Sequence, residues 1–272
     1  MDISKEIVTA EKLFRDKLDI FLRTIFSGTR LNSHGPEHHR RVWQYTKDIL
    51  GYPDVSSRVG NSDTAVKLLI GAYLHDSGMV KERGPRHGAL SREYCRKFLD
   101  DNSLSGPGFS DLLDAVEHHD DKEYLSHPAD SILLDILTAA DDLDALGYTG
   151  IYRYTEIYLV RGTAYKDLGS AILKNVRGRF GNLEKKFAYV PSLPARFRPA
   201  FDTITGFFDK YNIQLTAYRF GTGDPTGYCG VTEVIRSMIE EERDFDGTMD
   251  EAIESTDRVI SWYFGELKRE MG

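Results

Sequence analysis

Apolar residues recur every three or four positions through almost the whole chain, and that spacing leaves little choice of fold. Ile3, Ile7, Ala10, Phe14, Leu18, Phe21 and Ile25 make one stripe on a first helix. Leu168, Ile172, Val176, Phe180, Leu183 and Phe187 make another. Ala252, Ile253, Thr256, Val259, Ile260, Tyr263, Phe264 and Leu267 predict one last amphipathic helix. No alternating run bounded by hairpin turns competes with these patterns. The expected class is all-α. Gly51-Tyr52-Pro53, Gly106-Pro107-Gly108, the stretch Pro191 to Pro199 and the Gly-rich run Gly221 to Gly230 punctuate the helices. The bend at Pro191–Pro194 reads either as a subdomain boundary or as a kinked link inside one domain.

Composition narrows the class of protein. The 272 residues carry a net charge of −8, which gives no electrostatic reason for general nucleic-acid binding. The longest apolar run, Leu68-Leu69-Ile70 continuing to Leu74, is far short of a membrane span. Residues 1–6 carry charge and lack a secretory core, so a cytoplasmic location is expected. Cys95 and Cys229 are too few and too far apart for a zinc or redox motif. Histidine usage is uneven: of eight, seven lie between His34 and His119.

Those histidines fall on helix faces together with acids. In His34-Gly35-Pro36-Glu37-His38-His39-Arg40-Arg41-Val42, Pro36 suits a first helical position. His38 then shares a face with Val42, Tyr45 and Ile49, while His39 and Arg40 turn away from it. The apolar helix from Ala65 to Leu74 runs directly into His75-Asp76-Ser77-Gly78. A histidine and a carboxylate at the end of a buried helix carry a desolvation cost that a divalent cation offsets. Gly78 is expected to end that helix in a left-handed conformation. In Val116-Glu117-His118-His119-Asp120-Asp121, His119 shares the inward arc of Leu112, Ala115 and Val116, with His118 at its flank. In Ala139-Ala140-Asp141-Asp142-Leu143-Asp144, Asp141 projects from the stripe of Leu134 and Leu137, and Asp142 does not.

The ordered set His38, His75-Asp76 and Asp141 resembles the HD-domain superfamily of metal-dependent phosphohydrolases. His38 with Arg41-Val42 is similar to its opening motif, Leu74-His75-Asp76-Ser77-Gly78 to its His-Asp doublet, and Ala140-Asp141-Asp142-Leu143-Asp144-Ala145-Leu146-Gly147 to its closing segment. The resemblance spans about residues 34–147. It implies an HD-domain helical bundle extended by further N- and C-terminal helices. The expected division is an N-terminal helical extension over 1–33, a metal-binding core over 34–160, and a C-terminal helical region over 161–272. It makes His38, His75, Asp76 and Asp141 ligands of a first metal, with Asp76 bridging to a second held by His87 and the His118–His119 pair. His34 occupies the position of a further ligand known in HD-GYP relatives. The cofactor it implies is divalent metal, two ions, with Mn, Fe, Co, Ni, Zn and Mg not distinguished.

The same resemblance implies hydrolysis of a small phosphorylated substrate: a phosphomonoester, a phosphodiester or a nucleotide phosphate. Asp76, His118 and His119 are the catalytic candidates, the last two as donors of a proton to the leaving oxygen. Met79 stands where many relatives carry a Lys, so Lys81, Arg83, Arg86 and Arg153 are the candidate phosphate-binding residues. Two other functions fit the same scaffold: an HD-type di-iron oxygenase and a non-catalytic metal-binding signalling module. Gly51-Tyr52-Pro53 precedes the doublet instead of following the His pair, so no cyclic-di-GMP hydrolysis is inferred. Gly221 to Gly227 reads as an ordinary loop, because Pro225 interrupts it and no Lys-Ser/Thr ending follows. Arg177, Arg179, Lys185 and Lys186 read as a solvated basic face. Phe197, Phe201, Ile204, Phe207 and Phe208 form a core face or the face of a homodimer. His39 and His127 take surface or structural roles.

Overall fold

A computed structural model describes residues 3–29, 31–59, 63–104, 106–120 and 131–271. His127 lies outside the described residues. The structure is all-α, and no strand occurs among the described residues. No helix is long and apolar enough to cross a membrane among those residues. The chain divides into two compact units, Met1–Asp144 with Leu183–Pro194, and Ala145–Asn182 with Ala195–Gly272.

The first unit holds α1 (Ile3–Ile25), α2 (Pro36–Leu50), α3 (Pro53–Ser56), α4 (Thr64–Leu74), α5 (His87–Asp101), α6 (Ser110–His118) and α7 (Ile132–Asp144). Helix α4 is its centre and packs on α1, α2, α5, α6 and α7. Its residues Leu68 to Leu74 are all buried, as expected of a helix covered on every side. Helix α2 starts with Pro36 in its first turn, where the missing N–H costs nothing, and stops at Gly51. It packs on both α4 and α7, so it buries two faces and not one. His38, Val42 and Ile49 lie on the first face; His39, Trp43, Thr46 and Leu50 lie on the second, and all seven are buried. His39 does turn away from the face of His38, and of the surface and structural roles left open for it the structure gives the buried one.

Gly78 also departs from expectation. It does not adopt a left-handed conformation but sits in the short 3-10 turn Ser77–Val80, against the start of α5. A Cβ there would lie 2.1 Å from the His87 carbonyl oxygen. Glycine is required for close approach, and Gly78 N–H donates to Ser91 Oγ at 2.8 Å.

The second unit contains α8 (Gly147–Val160), most of α9 (Tyr165–Lys186) and of α10 (Ser192–Leu215), then α11 (Gly227–Glu240), α12 (Phe245–Ile253) and α13 (Arg258–Met271). Helix α10 runs through the prolines that were expected to punctuate the chain. Pro194 falls in the first turn, where no intrahelical bond is lost, and Pro199 forgoes one inside the helix. The expected last helix is two, α12 and α13, separated at 254–257. Asp257 ends the link by accepting from the N–H groups of Val259 and Ile260. Its other oxygen accepts from Gly227 N–H, and Glu233 accepts from Gly221 N–H. Carboxylates therefore occupy amides that a phosphate loop would need free.

Candidate metal centre

The elements of the first unit deliver their histidines and acids from helix ends. His38 lies in the first turn of α2, His75 caps the C-terminus of α4, and Asp76 follows it. His87 opens α5, His119 caps the C-terminus of α6, and Asp141 comes from the last turns of α7. The C-terminal ends of α4 and α6 carry the negative pole of the helix dipole, which favours a cation. All six residues are buried.

Their donor atoms converge in two groups that share one residue: His38, His75, Asp76 and Asp141, and Asp76, His87 and His119. Asp76 Oδ2 lies 3.4 Å from His38 Nε2 and 3.6 Å from His75 Nε2. Asp141 Oδ1 lies 3.6 and 3.7 Å from the same two nitrogens. The other oxygen, Asp76 Oδ1, faces His119 Nε2 at 3.1 Å and His87 Nε2 at 3.2 Å. His34 is buried as well, with Nε2 3.9 Å from Asp76 Oδ2 and Nδ1 2.6 Å from Ser33 Oγ. His118 belongs to neither group; its Nδ1 donates to the Asp114 carbonyl at 2.8 Å.

The chemistry of this donor set fits a divalent cation. Nδ1–H of His75, His87 and His119 donates to the carbonyls of Ala72, Gly84 and Val116 at 3.0, 2.7 and 2.8 Å. Each neutral ring then directs the Nε2 lone pair at carboxylate oxygens or, between His38 and His75, at another Nε2 3.1 Å away. Lone pairs and carboxylates converging in a buried space repel unless a proton or a cation stands between them. Neutral imidazole with carboxylate is a donor set for Zn²⁺ and for other first-row divalent ions.

Without a cation, protons take that place. Burial pushes the Asp76 carboxyl up, but the charge of His75 and hydrogen bonds from His119, His38 and His87 outweigh it and hold Asp76 well below the usual range. Burial pushes His75 down, and Asp76 and Asp141 outweigh it in the other direction. For His87 the hydrogen bond and charge of Asp76 overcome burial, and its pKa is raised to about 9. His87 therefore stabilises the metal-free fold fully below its ordinary value of 6.5, and that contribution is lost as pH rises through about 9. Raising pH from 6.5 to 9 is expected to lower the melting temperature of the metal-free protein while strengthening metal binding, with protons released on loading. Thermal scans and isothermal titrations across this window check both directions.

His39 is fully buried behind the site, its ring 5.2 Å from the rings of both His38 and His75. Among the described residues neither ring nitrogen makes a hydrogen bond of good geometry, and burial holds its pKa well below the ordinary histidine value. An unsatisfied buried polar group costs about 1–3 kcal/mol. His39→Leu is expected to leave metal content unchanged and the melting temperature equal or higher, as calorimetry would show.

The candidate phosphate-binding cations are engaged elsewhere. Lys81 Nζ lies 5.2 Å from the centre of the Tyr94 ring, and Arg86 pairs with Glu82 at 2.7 Å. Arg83 is half-buried, and Arg153 is buried in α8 of the second unit. Two residues with no assigned role in the sequence reach the site. Ser33 meets His34, and Asp144 Oδ2 lies 2.8 Å from His38 Nδ1. Asp144 follows Asp141 by three positions and so shares its face of α7, which is a readable signal.

Residues 36–146 match the family model of the HD domain. This segment is therefore similar to HD domains. The match begins at the first residue of α2 and ends just past α7, so the matched segment spans both donor groups. No curated protein and no solved structure matches the chain.

Proposed function

We propose that the protein is a metal-dependent phosphohydrolase that uses a pair of divalent ions to cleave a phosphomonoester, a phosphodiester or a nucleotide phosphate. The observation that carries this reading is the position of Asp76, whose two carboxylate oxygens face separate sets of histidines. The match of residues 36–146 to the HD-domain model supports the hydrolase class. Bound divalent ions supply Lewis-acid polarisation of a phosphoryl oxygen and acidify water.

The chain's residues do the rest. Asp76 and Asp141 bring negative charge to the floor of the site and offset the charge of the cations. His119 would hold a cation beside Asp76 from the α6 side, and Thr138 Oγ1 donates to the His119 carbonyl at 3.3 Å. His118, outside both donor groups, is the proton donor to the leaving oxygen, with its ring oriented by the Asp114 carbonyl. Lys81, Arg83 and Arg86 supply the positive charge for the phosphate, Lys81 and Arg86 by leaving Tyr94 and Glu82.

The test is phosphate release by protein reconstituted with Mn²⁺, Co²⁺, Zn²⁺ or Fe²⁺ against aryl phosphomonoesters, aryl phosphodiesters and nucleotides. Turnover that EDTA abolishes and metal restores is expected. Iron-loaded protein that consumes dioxygen and releases no phosphate contradicts the proposal.

A further inference from the structure

Three of the four histidines in the two donor groups are oriented by the main chain. His75, His87 and His119 each donate Nδ1–H to the carbonyl three residues earlier. His38 differs. It sits at the start of α2, and its Nδ1 points instead at a carboxylate, Asp144 Oδ2, at 2.8 Å. The Asp144 side chain has no solvent exposure. Arg41 grips the same carboxylate with two bonds, Nε to Oδ1 at 2.7 Å and Nη2 to Oδ2 at 3.0 Å.

These four residues form two interlocked pairs three positions apart. His38 and Arg41 share a face of α2, and Asp141 and Asp144 share a face of α7. Helices α2 and α7 pack together, so one face of α7 presents a donor group, Asp141, beside the residue that holds another, His38. We propose that Asp144 is a positioning residue for the metal centre. It fixes the His38 proton on Nδ1, leaves Nε2 free to ligate, and makes His38 the most strongly donating imidazole of the set.

The physical chemistry has two parts. A carboxylate only accepts when ionised, so its partner nitrogen must carry the proton, and this selects the ligating tautomer. A ligand imidazole that donates to a carboxylate is also more basic than one that donates to a carbonyl. Burying that carboxylate costs several kcal/mol unless it is paired. Arg41 offsets the cost with a bidentate grip while keeping part of its own side chain in water. His38 is therefore the one member of the set whose donor strength a side-chain substitution can tune.

This inference rests on the metal-centre reading, and its readout is metal affinity and not turnover. Asp144→Asn keeps the shape of the side chain and removes the charge. Titration of the full-length metal-free variant with Co²⁺ against a competing chelator is expected to show one binding step weakened about 10–100-fold, with altered Co²⁺ visible bands. Wild-type affinity at every step overturns the inference and leaves the hydrolase proposal standing. Tight Co²⁺ binding by the wild type without turnover on any phosphate ester does the reverse.

A second measurement needs no variant that might misfold. In Zn²⁺-loaded wild-type protein with ¹⁵N-labelled histidine, His38 is expected to carry its proton on Nδ1, with that proton resonating downfield of those of His75, His87 and His119. A His38 ring protonated on Nε2 overturns the inference.

Discussion

Replacing Asp76 with alanine is expected to remove both ions and all metal-dependent turnover. Among the described residues no other side chain contributes to both donor groups, so its loss opens both at once. The remaining histidines cannot compensate. Without the carboxylate, His87 and His119 retain no acid in their group, and His38 and His75 retain only Asp141. The predicted fall in phosphate release exceeds the ~10²–10³-fold that removal of a single electrostatic stabiliser produces. His75→Ala is expected to strip the first group and lower activity in the same direction. Elemental analysis of dialysed, reconstituted protein and a phosphate-release assay check both variants. Full metal content in Asp76→Ala contradicts the assignment.

Gly78→Ala is expected to be the most destabilising small substitution in the first unit. The added methyl would lie 2.1 Å from the His87 carbonyl oxygen and 2.8 Å from both Leu90 Cβ and Ser91 N, so backbone must move. Overpacking of this kind costs about 1–3 kcal/mol or more, and each kcal/mol lowers the melting temperature by about 2–4 °C in a domain of this size. The displaced element is the start of α5, which carries His87, so metal affinity should fall with stability. Gly88→Ala is expected to act in the same direction, since its methyl would lie 2.2 Å from the Glu117 carbonyl oxygen on α6. Gly178→Ala is the control. It has open space around it inside α9, and the substitution is expected to be neutral or stabilising by about 0.5–1 kcal/mol. Thermal melts with and without metal separate the effect on the fold from that on the site.

The sequence showed the helices and the core of the site because both depend on spacing. Leu168, Ile172, Val176, Phe180 and Leu183 on α9, and Phe187 just past its end, are all buried, as their periodicity predicts. His38 and Asp141 are buried and aimed together for the same reason, each lying on an apolar face. What spacing could not show was how many neighbours a helix has. His39 was left with either a surface or a structural role, because spacing shows one apolar face of α2, whereas packing against both α4 and α7 buries two. Gly78 looked like a helix stop, and its cause is instead a contact with residues in α5. Asp144 was visible as part of a motif, but its contacts with His38 and Arg41 span more than 100 positions of chain. The division of the His118–His119 pair, one side chain in the donor groups and one outside them, follows the inward arc that His119 shares with Leu112, Ala115 and Val116.

Anomalous diffraction from crystals loaded with Mn²⁺ tests the central claim most directly. The account predicts two peaks flanking the Asp76 carboxylate, one among His38, His75 and Asp141 and the other beside His87 and His119. A single peak, or peaks remote from Asp76, would contradict it.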